Sequence, residues 1–279
     1  MKTALVLEGG AMRGMFTAGV LDIFMDNAIM FDGIVGVSAG ALFGVNLLSG
    51  QRGRVIRYNK KYNNAKGYMG FRPLLREGNF VSTKFAYHDV PHELDPFFDE
   101  EYKKSTVPFY AVLTNCETGE PEYIQIKSVF EQMDTLRASG SMPFVSKPIL
   151  IDGKKYLDGG ISDSIPFVWP SDNGFDKLVV VLTRDLDYRK EAMKPIIAKY
   201  YKRKYPKICE ALIHRHEQYN NSVEKLLEWE KEGKAFIIRP TEPIDISRTE
   251  RDPEKLQAVY EMGLRDGADR ISAMLEYMK

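Results

Sequence analysis

The sequence has few cysteines and histidines, no long apolar run and no excess of either charge. Its two cysteines, Cys116 and Cys209, form neither a metal-ligand spacing nor a disulfide framework, which is typical of a reducing compartment. No stretch approaches the roughly 18 apolar residues that a membrane-spanning helix needs. The first apolar run ends at Glu8 and is too short for a signal peptide. We therefore expect a cytoplasmic protein without a transmembrane segment.

The balance of charge argues against nucleic acid as a partner. Lys and Arg together number 39, and so do Asp and Glu, which leaves no overall attraction to a polyanion. A chain of 279 residues can bury a large core as one domain or as two small ones. Because no internal repeat or low-complexity linker divides it, we expect a single domain over residues 1–279. Its motif-bearing core is expected at 3–183 and a helical C-terminal part at 189–279.

Hydrophobic periodicity predicts alternating strands and helices. The first half begins with a strand at 3–7, a helix at 15–25, a strand at 31–37 and a helix at 39–48. Further strands are predicted at 108–113, 122–126, 149–151, 155–157, 177–182 and 235–238, and further helices at 54–62, 190–204, 207–232 and from 253 onward. The stretch 66–101 lacks a period, so we expect irregular covering structure or a lid there. The fully apolar strand at 177–182 favours an α/β fold with a parallel sheet covered on both faces.

A nucleophile-elbow motif stands at the end of the second predicted strand. Residues 36–40 read Gly-Val-Ser-Ala-Gly, the Gly-x-Ser-x-Gly pattern that exposes a serine on a tight strand-to-helix turn. Gly36 and Gly40 leave room for that turn. Ser38 stands so early that only one strand and one helix precede the strand that leads into it, whereas the α/β-hydrolase fold has several strands before its elbow.

A glycine-rich loop follows the first predicted strand and includes Gly9, Gly10, Ala11, Arg13 and Gly14. Its backbone N–H groups can stabilise the oxyanion that forms when a serine attacks an acyl carbonyl, and the arginine can add positive charge or hold the loop in place. A plain strand-to-helix turn is the alternative interpretation. The spacing matches neither the dinucleotide-binding pattern nor the P-loop.

The serine also needs a base to take its proton. None of the histidines ends a predicted strand or stands in a glycine-bounded turn; they are His88, His92, His214 and His216. Asp158 does end a predicted hairpin strand, and Gly159 and Gly160 after it permit close approach of another backbone. We predict Asp158 as the base, in a desolvated site that raises its pKa above the ordinary value of about 3.9. The alternatives are a turn aspartate without a catalytic role and the triad order Ser38, Asp158, His214.

These motifs together resemble those of the patatin-like phospholipases. The family has a Gly-Gly-Gly-x-Arg/Lys-Gly loop, a Gly-x-Ser-x-Gly elbow and a later Asp-Gly-Gly or Asp-Gly-Ala, matched here at 9–14, 36–40 and 158–160. Residues 138–143 are similar to the Ala-Ser-x-x-x-Pro segment that the family places before the aspartate. The family usually has a third glycine where this chain has Ala11, and a methyl group is compatible with the loop if that residue keeps a negative φ.

The resemblance implies a three-layer sandwich with a mostly parallel central sheet flanked by helices. It implies a Ser38–Asp158 dyad that cleaves fatty-acyl esters of phospholipids or lysophospholipids through an acyl-enzyme, without metal or cofactor. The oxyanion hole would use Gly9, Gly10, Ala11 and Arg13, and the motif glycines would be Gly14, Gly36, Gly40, Gly159 and Gly160. Carboxylesterase or acyltransferase activity on small or neutral-lipid esters, and non-catalytic lipid binding, are the alternative functions.

Two basic segments stand out against the zero net charge. Residues Arg189 to Lys207 include eight basic residues, one acid and three interleaved tyrosines, and Arg52 to Lys66 add six basic residues and no acid. A solvated helix face would explain both segments. The alternative hypothesis is peripheral contact with an anionic membrane surface, here the inner face of the membrane. The oligomeric state has no signal in the sequence.

Overall fold

The computed structural model describes all 279 residues of the chain. Its strands are β1 Thr3–Leu7, β2 Gly33–Val37, β3 Phe109–Asn115, β4 Pro121–Ile126, β5 Ile149–Ile151, β6 Lys154–Asp158, β7 Lys177–Val181 and β8 Ala235–Ile238. Its α-helices are α1 Gly14–Asp26, α2 Ala39–Leu48, α3 Arg54–Tyr62, α4 Phe71–Glu77, α5 Asp99–Lys104, α6 Met133–Ser139, α7 Val168–Asp172, α8 Pro195–Lys202, α9 Pro206–Lys231 and α10 Pro253–Met278. A π-helical segment lies at Phe85–Leu94, and single 3₁₀ turns lie at Ala11–Arg13 and Gly159–Ile161.

Five strands form the parallel part of one mixed sheet, in the order β3-β2-β1-β7-β8. The other three strands are antiparallel and attach at β3. Strand β4 pairs along one edge of β3, and β6, with its hairpin partner β5, pairs with the last residues of β3 beyond the end of β2. The carboxyl end of β2 therefore meets the carboxyl end of β6 along the same strand.

Helices cover both faces of this sheet. Successive side chains of a strand point to opposite faces, so Leu5 and Leu7 of β1 join the larger core of 37 buried residues, which includes residues of α1, α2 and α10. Ala4 and Val6 join a second core of 12 buried residues, which includes residues of α9. The observed helix–sheet–helix layering confirms the predicted α/β sandwich with a mostly parallel central sheet.

Most predicted elements are present within one or two residues of their expected ends, but two regions differ. The helix predicted at 190–204 is only Pro195–Lys202, because proline, which lacks an N–H group, favours the first turn of a helix and disfavours an earlier start. The stretch 66–101 is not irregular throughout: it holds α4, the π-helical segment and the start of α5. Two short helices, α6 and α7, were not predicted at all.

The C-terminal helix α10 packs closely against α1, where two glycines let the helix backbones touch. A Cβ atom on Gly263 would lie 2.1 Å from the carbonyl oxygen of Phe16, and one on Gly19 would lie 2.2 Å from that of Tyr260. The Tyr260 hydroxyl also donates a hydrogen bond of 2.5 Å to Asp22 of α1. This crossing joins the helical C-terminal part to the motif-bearing core. None of the helices, α9 and α10 included, is both long and apolar enough to cross a membrane.

Candidate active site

Ser38 lies on the sharp turn between β2 and α2. Its backbone has φ 55° and ψ −122°, a region that non-glycine residues rarely occupy and that marks a backbone held by its surroundings. The surroundings include Ser139 at the end of α6, whose hydroxyl accepts a hydrogen bond of 2.9 Å from the Ser38 N–H and donates one of 2.8 Å to the Val112 carbonyl. Ser139 thus ties the elbow to β3, a role that the motif alone did not predict.

The register of β3 brings Asp158 to Ser38. Val37, the last residue of β2, pairs with Val112, and Asp158, the last residue of β6, pairs with Leu113. Two strands that are distant in sequence therefore end at consecutive positions of a third. Two hydrogen bonds hold the Asp158 backbone. Its N–H group donates to the Ser141 carbonyl, and its carbonyl accepts from the Thr114 hydroxyl.

The side chains of Ser38 and Asp158 are in direct contact. The Ser38 Oγ donates a hydrogen bond of 2.8 Å to Asp158 Oδ2, and the Gly160 N–H donates one of 2.8 Å to Asp158 Oδ1. Both side chains are buried. Burial raises the pKa of the Asp158 carboxyl, while the positive charge of Arg215 and the bond from Ser38 oppose that rise. The carboxylate is therefore a stronger base than an exposed aspartate and is held against the hydroxyl.

The glycine-rich loop lies beside the serine. A Cβ atom on Gly9 would be 3.0 Å from Ser38 Cβ, so the loop backbone approaches Ser38 as closely as a glycine allows. The N–H groups of Gly9 and Gly10 donate to no acceptor within the protein. Ala11 has φ 50°, so it does not adopt the negative φ that would make its methyl group compatible with the loop without strain. The left-handed conformation that a third glycine would adopt easily is kept here by an alanine, at a cost of about 1–2 kcal/mol.

The remaining motif glycines sit where a side chain would collide with a neighbour. A Cβ atom would lie 2.4 Å from the Leu7 carbonyl oxygen at Gly40 and 2.2 Å from the Val112 carbonyl oxygen at Gly159. Gly14 faces the Phe43 ring, Gly36 faces the backbone of Gly40 and Ala41, and Gly160 faces the Arg215 guanidinium. These close contacts explain why the three motifs have glycine at these positions around the elbow.

The first of two cavities beside Ser38 is apolar and has a volume of about 140 Å³. Of its 25 lining residues 18 are hydrophobic, and most of them come from α2, α6 and the covering segment 66–101. The covering segment contributes Tyr68, Tyr87 and Phe97, so it forms part of the cavity wall. A cavity of this composition suits a hydrocarbon chain.

The second cavity, here called the cationic cavity, is polar, with a volume of about 50 Å³. Its walls contain Ser38, Asp158 and the glycine-rich loop, together with five basic side chains: Arg13, Arg184, Lys190, Arg215 and Arg248. Arg13 was assigned to the oxyanion loop from sequence, and its side chain lines this cavity. The other four carry no motif and come from separate parts of the chain, so sequence reasoning had no signal with which to group them.

The histidines lie elsewhere. None of the four lines the apolar cavity or the cationic cavity; His88 and His92 belong to the π-helical segment, and His214 pairs with Glu217 on α9. No group of three or more His, Cys, Asp or Glu side chains is arranged to hold a metal ion.

A sandwich of helices around a mostly parallel sheet, with a strained elbow serine bonded to an aspartate, defines the class of nucleophile-elbow α/β proteins. Within that class, the patatin-like phospholipase family matches residues 5–168, more than half of the chain, and the chain belongs to that family. A second match covers residues 205–279 and is described as a domain of unknown function (DUF6363).

The chain is similar to several curated proteins over about two thirds of its length. It is 31% identical over 186 residues to the uncharacterized protein YjjU of Escherichia coli K12, covering 65% of this chain and 52% of that protein. It is 27% identical over 188 residues to the lysophospholipase nte1 of Aspergillus fumigatus, covering 66% of this chain and 12% of that protein. The chain thus spans about half of the first relative and a small part of the second.

Two further similarities complete the comparison. An uncharacterized NTE family protein of Mycobacterium bovis is 27% identical over 169 residues, which cover 59% of this chain and 44% of that protein. The crystal structure of VipD from Legionella pneumophila aligns with a TM-score of 0.48 at 12% identity, covering 98% of this chain and 67% of that chain.

Proposed function

We propose that this protein hydrolyses fatty-acyl esters of phospholipids or lysophospholipids through a Ser38–Asp158 dyad. The observation that carries the proposal is the 2.8 Å hydrogen bond from Ser38 Oγ to the buried Asp158 carboxylate. A serine hydroxyl becomes a nucleophile when a neighbouring base takes its proton, and no histidine lines either cavity beside Ser38.

In the first step, Ser38 Oγ attacks the ester carbonyl carbon while Asp158 accepts the hydroxyl proton. Negative charge develops on the carbonyl oxygen, and the free N–H groups of Gly9 and Gly10 supply donors for it. The N-terminus of α2, directly after Ser38, adds partial positive charge on the same side. The tetrahedral intermediate then breaks its bond to the alcohol, which leaves with the proton from Asp158.

In the second step, water replaces the alcohol. Asp158 takes a proton from the water, whose oxygen attacks the acyl-enzyme carbonyl, and returns that proton to Ser38 Oγ as the fatty acid is released. The two cavities meet at Ser38 and bind different parts of the substrate. The apolar cavity takes the acyl chain, and the cationic cavity faces the alcohol part.

A fluorophosphonate probe tests the nucleophile. We expect the wild-type protein to be labelled and Ser38→Ala to lose both the label and the hydrolysis of lysophospholipid, because the probe reacts only with an activated hydroxyl. Ser171→Ala is the matched control, since Ser171 is exposed on α7, and it should label like the wild type. Mass spectrometry of the labelled peptide gives the position. An unlabelled wild-type protein would refute the hydrolase proposal and favour non-catalytic lipid binding.

We also propose that α8 contacts an anionic lipid surface. The helix turns Ala198 and Tyr201 inward and leaves Ile196 and Tyr200 70% and 74% exposed, beside Lys199 and other basic residues. An exposed apolar face bordered by basic side chains suits the boundary between headgroups and acyl chains. The Tyr200 ring also contacts Phe144, which lines a cavity shared with Lys190 and Arg215, so α8 lies beside the candidate site.

The arginines of the second basic segment have little free charge to offer a membrane, which leaves Lys61 and Lys66 as its exposed cations without an ion pair. Arg54 is buried, Arg52 forms an ion pair of 2.6 Å with Asp26, and Arg57 forms one of 2.7 Å with Asp95. We therefore confine the proposed membrane contact to α8 and its flanking residues.

Sedimentation with lipid vesicles tests the α8 contact. Wild-type binding should increase with the fraction of anionic lipid and fall with salt, at roughly 1 kcal/mol for each basic residue near the surface. Ile196→Glu should weaken the binding at least tenfold, because it places a charge where the helix meets the acyl region. Leu150→Glu is the control, since Leu150 is 61% exposed on the β5–β6 hairpin. Vesicle binding that does not depend on lipid charge, or an equal loss of binding in both variants, would contradict the proposal.

A further inference from the structure

The cationic cavity gathers charge from five separate places in the chain. Arg13 comes from the glycine-rich loop, Arg184 from the loop after β7, Lys190 from the segment before α8, Arg215 from α9 and Arg248 from the loop between β8 and α10. Arg13 is only 9% exposed, Arg184, Lys190 and Arg215 are half-buried, and Arg248 is exposed at the rim where the cavities meet. The tertiary fold thus assembles a positive site next to Ser38.

None of these five side chains is neutralised by the protein. No salt bridge involves any of them, although other arginines of the chain are paired, among them Arg239 with Glu230 at 3.0 Å. Their only side-chain hydrogen bond runs from Arg215 Nε to the Gly160 carbonyl. The Nε atoms of Arg13 and Arg184 are fully buried and have no partner. Because an unpaired buried cation is strongly unfavourable, this arrangement favours the binding of an anion.

The carboxylates of the cavity do not supply that anion. Glu8 already accepts hydrogen bonds from the Thr183 N–H and hydroxyl and from the Tyr219 hydroxyl. Asp158 is engaged by Ser38 and by the Gly160 N–H. Two negative charges thus face five positive ones. Consistent with this excess, burial and neighbouring cations lower the pKa of Lys190 to about 7 and that of Arg13 to about 10.

The chemistry of the site favours a phosphate monoester as that anion. Guanidinium groups form paired charge-assisted hydrogen bonds to phosphate oxygens, and several unpaired cations match a dianion better than a carboxylate. A choline group would need a free aromatic face, but Arg184 already lies 4.0 Å from the Tyr188 ring centroid and Lys190 lies 4.1 Å from that of Tyr219. The cavity therefore suits a terminal phosphate rather than a zwitterionic headgroup.

We propose that the cationic cavity is a phosphate subsite for the alcohol part of the substrate. The preferred substrate class is then a fatty-acyl ester of glycerol that ends in an unsubstituted phosphate. Ser38 borders both cavities, so an ester held there places its acyl chain on the apolar side and its phosphate on the cationic side. The inference rests on the proposed hydrolase activity and adds the substrate class to it.

Three substrates with the same oleoyl chain test the subsite: lysophosphatidate, lysophosphatidylcholine and monooleoylglycerol. In the wild type, kcat/KM for lysophosphatidate should exceed that for the other two by about 100-fold, the effect of two charge-assisted hydrogen bonds. Arg184→Gln should reduce this preference about tenfold, and the double variant Arg184→Gln, Arg248→Gln about 100-fold. Arg265→Gln, an exposed arginine on α10 and outside the cavity, is the control and should keep the wild-type preference.

A binding measurement distinguishes the headgroup from free phosphate. Calorimetric titration of Ser38→Ala should show that glycerol phosphate binds more tightly than inorganic phosphate, and that adding Arg184→Gln weakens the binding at least tenfold. Equal binding of both ions, or no binding of either, would overturn the subsite.

The substrate series separates this inference from the hydrolase proposal. If monooleoylglycerol and lysophosphatidate are cleaved equally well in the wild type and in the arginine variants, the phosphate subsite is refuted and the hydrolase stands. If no ester is cleaved and no probe reacts, the hydrolase proposal fails, and the titration still decides whether the five cations hold phosphate.

Discussion

Replacing Asp158 with asparagine should lower kcat for ester hydrolysis by about 10³-fold or more. Asparagine has the size of aspartate and can still accept the hydrogen bond from the Gly160 N–H, so the fold around β6 should persist. Its amide cannot take the Ser38 proton, and the hydroxyl then remains a weak nucleophile. Steady-state kinetics on a lysophospholipid, with circular dichroism to verify the fold, measure the effect.

The pH dependence of kcat/KM in the wild type also tests the role of the Asp158 carboxyl. Asp158 acts as a base only when ionised, so kcat/KM should fall as the pH drops through its pKa. Because burial raises that pKa, the fall should begin at a higher pH than for an exposed aspartate, although Arg215 opposes the shift. The residual activity of Asp158→Asn should lack this acidic limb, since the variant has no carboxyl at the serine to protonate.

Asp163→Asn is the matched control. Asp163 is close in sequence, burial raises its pKa to about 6, and its carboxylate accepts a 2.6 Å hydrogen bond from the Tyr123 hydroxyl. It makes no hydrogen bond to Ser38, so this variant should stay within about threefold of the wild type. Equal losses in the two variants, or a normal rate in Asp158→Asn, would contradict the proposed dyad.

Replacing Gly263 with alanine should lower the free energy of unfolding of the whole chain by about 3 kcal/mol. The new Cβ atom would lie 2.1 Å from the Phe16 carbonyl oxygen, so α10 must move away from α1. A rigid backbone atom cannot turn aside as a flexible side chain can. The loss should exceed the gain of about 1 kcal/mol that alanine gives a helix over glycine. Urea denaturation followed by circular dichroism measures it.

Gly267→Ala is the control, one turn further along the same face of α10. Its Cβ atom would lie 3.3 Å from Val20 Cα, a tight contact that a small shift relieves, so the change should stay within about 1 kcal/mol. The pair also tests the proposed single domain over residues 1–279. One domain gives one transition that moves to lower urea as a whole; two transitions, of which only one moves, would show that the helical part unfolds separately.

Much of the fold was predictable because it rests on local patterns. Strands β1, β2 and β7 are short apolar runs bounded by loops, and the Gly-x-Ser-x-Gly motif determines a tight turn between β2 and α2. The region 66–101 was harder to predict, because its helices are short and cover a cavity instead of a regular sheet face. Helix α6 is a short helix of seven residues, too few to show a clear helical period.

Local patterns could not predict contacts between distant segments. The φ of 50° at Ala11 is one example, because an alanine favours negative φ unless the surrounding fold imposes the turn. The segment from Arg52 to Lys66 was interpreted as a solvated helix face or as a membrane-contacting patch, yet its arginines are buried or paired with Asp26 and Asp95, which lie in other parts of the chain.

The sequence by itself determined the family, the α/β class and the identity of Ser38 and Asp158 as candidates, since motif spacing and strand periodicity are properties of neighbouring residues. Only the tertiary structure decided that these two side chains touch, because the contact depends on two strands ending at Val112 and Leu113 of β3. The tertiary structure alone also gathered the five unpaired cations beside them, since charges on separate elements become one site only when the chain is folded.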